Sequence, residues 1–113
     1  MSEPKQAIQV FCALPSRHAA ESMARQLVEN RLAACVQVLG PISSTYRWEG
    51  AIETAEEWLC LIKSREDLYR ALEAAIRASH PYEVPEIIAV PISAGNPDYL
   101  DWLGRETGDI ERS

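Results

Sequence analysis

Two extended stretches, Ile42 to Trp48 and Ala51 to Lys63, face one another across Glu49-Gly50. A hairpin with arms of about 12 residues per strand is twice the usual strand length of about 5 to 6. Its sequence changes character along its length. By the two-residue period of a strand, Ile42, Ser44, Tyr46 and Trp48 share one face. The returning strand begins polar, with Glu53, Thr54, Glu56 and Glu57, and becomes apolar on both faces from Trp58 to Ile62. The root is therefore expected in a core and the tip outside it. The chain has 113 residues, enough for one domain spanning residues 1–113, so such an arm must protrude. It carries Tyr46 and Trp48, with Trp58 near the root and Trp102 in the last helical stretch. Large aromatics on a protruding arm call for cover. The terminal helix of the same chain is one possible cover; self-association with closed symmetry is the favoured one.

The remaining elements surround that hairpin. Ala7 to Leu14 is apolar on both faces, as a strand in the middle of a sheet must be. Pro15-Ser16 ends it and Ser16 supplies a helix cap, after which Ala20, Met23, Ala24, Leu27 and Val28 recur at helical spacing. Leu32 to Leu39 is the next apolar strand and stops at Gly40-Pro41. Ser64-Arg65-Glu66-Asp67 has the form of a capping box before a second amphipathic helix with Leu68, Leu72, Ala75 and Ile76. His80-Pro81-Tyr82-Glu83-Val84-Pro85 cannot continue that helix. Glu86 to Ile92 is a fourth strand, and Asn96-Pro97 opens a short last helix. Residues 1–6 and 105–113 are expected to fray. The order β-α-β-β-α-β plus a terminal helix is that of an α+β, ferredoxin-like split β-α-β sandwich, with both main helices on one face of one sheet.

Charge and cysteine usage exclude several functions. Eleven Lys and Arg against 17 Asp and Glu give a formal charge of −6, the wrong sign for a nucleic-acid binder. No apolar run reaches the roughly 18 residues of a membrane span, and no secretory leader is evident. Cys12, Cys35 and Cys60 are odd in number and widely spaced, which fits a reducing, cytoplasmic setting better than a disulfide framework.

The residues suited to chemistry are few. The three cysteines lack C-x-x-C spacing and the two histidines, His18 and His80, lie far apart, so no local zinc motif exists. Cys12, near the end of the first strand, and His80, in a loop made stiff by two prolines, are the candidate ligands for a soft or borderline cation; Glu83 and Glu86 are weaker ones. Cys35 and Cys60 read as small hydrophobes, and Glu53, Glu56 and Glu57 as the solvated face of the arm. No nucleophile elbow, phosphate loop or dinucleotide fingerprint is present, so the chain is expected not to be an enzyme. A hydrolase using a cysteine or Arg17 at the Pro15-Ser16-Arg17-His18 turn is a minor alternative.

Several segments together resemble the CutA divalent-cation tolerance family. They are Leu32-Ala33-Ala34-Cys35-Val36, Ser44-Thr45-Tyr46-Arg47-Trp48-Glu49-Gly50, Ile62-Lys63-Ser64, His80-Pro81-Tyr82-Glu83-Val84-Pro85-Glu86 and Tyr99-Leu100-Asp101-Trp102. They stand in family order from about Val10 to Leu103. The resemblance implies a homotrimer whose arms extend the sheets between subunits, and a role in tolerance or response to divalent cations, chiefly copper, without established catalysis. It maps copper ligands onto Cys12 and the region of His80. Where some members carry a second histidine just before that position, this chain has Ser79. No metal is expected to be needed for folding. Three subunits of −6 would together carry −18, which concentrates cations without any designed site. Clefts between subunits would be lined by Tyr46, Trp48, Trp58, Tyr82 and Trp102. A trimeric small-molecule sensor or partner-binding module, similar in architecture to the PII signalling proteins, is the alternative function.

Overall fold

The structure is a computed structural model and describes residues 5–109. Four strands and three helices follow the expected order: β1 (Ala7–Leu14), α1 (Arg17–Glu29), β2 (Cys35–Trp48), β3 (Ala51–Arg65), α2 (Tyr69–Ser79), β4 (Ile87–Pro91) and α3 (Pro97–Arg105). The sheet order is β2-β3-β1-β4 with every pair antiparallel. This is the ferredoxin-like arrangement, and β1 sits inside the sheet as its two apolar faces require.

The core lies between one face of the sheet and the two main helices. Ile8, Val10, Cys12 and Leu14 from β1 and Cys60 and Ile62 from β3 meet Ala20, Met23 and Leu27 of α1 and Leu72 and Ile76 of α2. On the opposite face α3 reaches the end of the sheet at Arg65, whose guanidinium donates to the Gly104 carbonyl. On that face Phe11, Leu59 and Leu61 are half-buried, and Leu39, Ile88 and Val90 are 47%, 54% and 43% exposed.

β3 pairs with β1 only as far as Trp58, opposite Leu14. Beyond that point β2 and β3 have only each other, out to Trp48 opposite Ala51. Glu49 and Gly50 both have positive φ, +49° and +81°, the two-residue turn whose twist suits a hairpin. The arm raises the radius of gyration to 15.2 Å, against about 13 Å for a compact chain of this size. At its root the register jumps: Leu39 faces Leu59 but Ile42 faces Glu57. β2 thus spends one extra residue over Gly40-Pro41, a β-bulge.

Several sequence expectations need correction; the strand expected to stop at Gly40-Pro41 runs on through them as β2 to Trp48. Ser64 does not cap a helix. β3 continues through it to Arg65, Ser64 pairs with Ile8, and its buried hydroxyl donates to the Leu32 carbonyl at 2.7 Å. A turn of 3-10 helix, Glu66–Leu68, precedes α2, which begins without a side-chain cap. The apolar run from Leu32 enters the sheet only at Cys35; Leu32 to Ala34 wrap the end of α1. Arg105–Asp109, expected to fray, are tied down. Arg31 takes positive φ just past α1, its guanidinium donates to the carbonyls of Gly108 and Arg105, and Thr107 is buried. Residues 1–4 and 110–113, also expected to fray, lie outside the described residues.

Candidate functional site

The segment after α2 builds the site. Pro81 disfavours helical geometry at the residue before it, and His80 accordingly leaves α2 with φ −77° and ψ 135°. The chain then passes the end of β1. Pairing between β1 and β4 stops at Cys12 opposite Ile87, and the next carbonyl of β1, that of Ala13, accepts from His80 Nε2 at 2.8 Å. His80 Nδ1 accepts from the Tyr82 amide at 3.1 Å. A carbonyl only accepts and an amide N–H only donates, so the imidazole is neutral with its proton on Nε2. Both ring nitrogens are used, and His80 is 9% exposed. Its ring is tilted against Tyr82, centroids 4.8 Å apart.

Tyr82 carries the segment round to the face opposite α1 and α2. Its hydroxyl donates to Glu57 Oε2 at 2.8 Å. Burial, then the hydrogen bond to Glu57 and its charge, push the Tyr82 hydroxyl up to about 12. Glu57 is 8% exposed, so it does not belong to the solvated face of the arm where the sequence reading placed it. A signal was available: Glu56 and Glu57 are adjacent in a strand, so one of them had to point to each face.

Between this segment and the arm lies an open cleft of about 840 Å³. The arm contributes Tyr46 and Trp48, with Glu53 directly across from Tyr46. The returning segment contributes Tyr82, Glu83 and Glu86, and Glu57 and Ala13 form the floor. The described lining contains no Lys, Arg or His. The ion pairs among the described residues are Arg25–Glu29 and Arg65–Asp67, so none of the four cleft glutamates has a cationic partner there.

The candidate ligands divide between two sides of the sheet. Glu83 and Glu86 are exposed at the cleft. Cys12 is fully buried on the helix side, directly across from Cys60. Burial first, then the nearby Cys60, Glu86 and Glu57, push its thiol up to about 12; burial pushes Cys60 to about 11. Among the described residues no three His, Cys, Asp or Glu side chains gather closely enough to hold one metal ion. Thiolate and imidazole suit copper chemically, but here burial holds the thiol protonated and the imidazole is engaged, so the described residues present no ready-made copper site.

The aromatic set divides as well. Tyr46, Trp48 and Tyr82 line the cleft. Trp58 packs on its own chain, against the core and across Gly40, where an added Cβ would lie 2.2 Å from its ring. Trp102 is half-buried and tilted against Tyr99 at 5.4 Å. Ser16 caps α1 as expected, accepting from the Ala19 amide, and Arg17 and His18 are exposed. No helix among the described residues is long and apolar enough to cross a membrane.

The sequence pattern of the family described as CutA1 divalent ion tolerance protein matches residues 8–106. The chain belongs to the CutA1 divalent ion tolerance family. The Divalent-cation tolerance protein CutA of Thermus thermophilus is 44% identical over 99 residues, covering 88% of this chain and 96% of that protein. The match to the longer mouse Protein CutA spans 58% of its length. Among solved structures, CutA1 from Oryza sativa superposes with a TM-score of 0.92 at 41% identity, covering 96% of this chain and 99% of the other. The Archaeoglobus fulgidus CutA, described as a periplasmic divalent cation tolerance protein, gives 0.86 at 36% identity over 88% of this chain and 97% of that one. CutA1 membership accounts for the fold.

Proposed function

We propose that this CutA1 chain acts in divalent-cation tolerance as a cytoplasmic homotrimer that holds divalent cations, copper among them, weakly and without catalysis. The observation that carries the reading is the cleft, whose lining holds Glu53, Glu57, Glu83 and Glu86 and no basic residue among the described residues. Carboxylates concentrate cations by charge alone. Copper is compatible with Cys12 and His80, with Glu83 and Glu86 at the cleft. Binding at Cys12 must displace a proton from a thiol pushed up to about 12, and binding at His80 must release it from the Ala13 carbonyl. Weak, strongly pH-dependent binding follows.

The trimer is supported by the sheet face away from α1 and α2, where Leu39, Ile88 and Val90 are uncovered, and by an arm that pairs with no further strand among the described residues. The three free cysteines favour a reducing compartment. Calorimetry with Cu(I) and Cu(II) on the native chain and on Cys12→Ser, His80→Ala and Glu83→Gln/Glu86→Gln tests the cation reading. Identical isotherms across all four would overturn the site. Light scattering tests the assembly, and a single 12.6 kDa species would overturn it.

A second reading, a trimeric small-molecule sensor or partner-binding module, is favoured by the cleft volume of about 840 Å³. Small-molecule sites run from about 300 to 1,000 Å³. Thermal-shift screening across ligand classes, nucleotides and small anions included, tests it, because a ligand that binds only the folded state raises its stability.

A further inference from the structure

The geometry points to an organic cation as the ligand of the cleft: a small amine whose ammonium group is taken by Glu57 and whose apolar body lies against Tyr46, Trp48 and Tyr82. This inference rests on the second reading above and names the ligand class.

Two independent observations lead to it. The first is the state of Glu57. It is 92% buried on an exposure of 8%, one oxygen takes the Tyr82 hydroxyl, and no cation pairs with it among the described residues. A carboxylate shielded from bulk water, with its second oxygen open to the cleft and no countercharge, attracts an incoming cation more strongly than one in bulk water. The cleft above it is open, so a cation entering from solvent can reach it. The second is the aromatic wall. Tyr46 and Trp48 are 42% and 40% exposed, and both face the cleft with Tyr82. Aromatic faces attract ammonium groups, most strongly where water is excluded. A hydrated divalent ion has no use for three aromatic rings, whereas an alkylammonium or arylalkylammonium uses both the rings and the carboxylate. Tyr82 stays a neutral donor throughout, so it holds Glu57 in place without competing for the cation.

Benzylammonium, with benzyl alcohol as its neutral counterpart, separates charge from shape. Calorimetry and tryptophan fluorescence on the full chain at neutral pH should show saturable binding of benzylammonium at least about tenfold tighter than benzyl alcohol, one cation–carboxylate or cation–π contact being sufficient for that ratio. Glu57→Gln keeps an acceptor for Tyr82 and should abolish the preference. Trp48→Ala, 40% exposed in the single chain, should weaken benzylammonium by a similar factor with the circular dichroism unchanged. Equal binding of the two probes, indifference to both variants, or no saturable binding because a second copy fills the cleft would each overturn the inference. Failure of the second reading itself shows as no thermal shift from any ligand class; failure of this inference alone shows as a shift from neutral or anionic ligands with none from benzylammonium.

Discussion

Tyr82 and Glu57, 25 residues apart in sequence, are joined by a 2.8 Å hydrogen bond that closes the floor of the cleft. The bond fastens the loop after α2 to the root of the arm. Tyr82→Phe removes the donor and leaves a buried carboxylate oxygen without a partner, at a cost of about 1–3 kcal/mol. Denaturant titration of Tyr82→Phe, Glu57→Gln and the double variant should show coupling between the sites; simple additivity would contradict the bond. The pH dependence follows from the raised Tyr82 hydroxyl. Its folded value, about 12, lies above the ordinary value near 10. Its contribution is therefore complete below pH 10 and is lost as pH climbs from about 10 to 12. Tyr82→Phe should flatten the alkaline stability profile in that window.

His80 holds the turn that delivers Tyr82. His80→Ala deletes two hydrogen bonds at a buried position, and a loss of about 1–3 kcal/mol is expected from the unsatisfied groups. Amide exchange at Tyr82 should accelerate, since its N–H loses its acceptor. Unchanged protection there would show that the imidazole does not hold the turn.

The three thiols should differ in reactivity. Cys12 and Cys60 are buried, with thiols pushed up to about 12 and 11, while Cys35 is half-buried. The thiolate is the reactive form, so iodoacetamide at pH 8 should leave Cys12 and Cys60 unmodified in the folded protein and label all three in denaturant. Raised folded values also mean that the contribution of these two groups is present below pH 9 and is lost as pH rises through 11 to 12. Mass spectrometry of labelled peptides reads the first claim; rapid native labelling of Cys12 would refute it.

Gly40→Ala places a methyl group against the Trp58 indole, 2.2 Å from the nearest ring atom. The ring must move out of its place on the core, and overpacking of this kind costs about 1–3 kcal/mol. A lower Tm with a changed near-ultraviolet tryptophan signal is expected. An unchanged signal would mean that the backbone, rather than the ring, gives way.

Ile88→Glu tests the uncovered sheet face. Ile88 is 54% exposed in the single chain, so the substitution should leave the subunit folded by circular dichroism. If that face is covered by other subunits, a buried unpaired charge breaks the assembly, and light scattering should report the single-chain mass. A full assembly with Ile88→Glu would place the interface elsewhere.

The order of strands and helices was legible because each core face announces itself by period: β1 by apolar residues on both sides, α1 and α2 by their stripes, the hairpin by its polar tip. Ser64 was misread because a capping box is a local pattern, and pairing with Ile8 across the sheet overrode it. The candidate site was legible only as a set of residues. Local sequence does not show that the His80 imidazole bonds the Ala13 carbonyl 67 residues away, or that Tyr82 returns over Glu57. Tyr46 and Trp48 were placed on the right face by alternation alone, while Trp58, read with them, fills a gap over Gly40 instead.

The bulge at Gly40-Pro41 makes the two strands of the arm unequal in the length changes they tolerate. β2 carries one residue more than its partner there. Losing one residue between Gly40 and Ser43 closes the bulge and leaves Tyr46 opposite Glu53, since the turn still sets the register of the tip. The same loss in β3 between Glu53 and Glu57 puts those two glutamates on opposite faces, because side chains alternate with a period of two. Shortening of the arm by single residues is therefore confined to the strand at the sheet edge, and the strand that carries the acidic floor can change length only in steps of two.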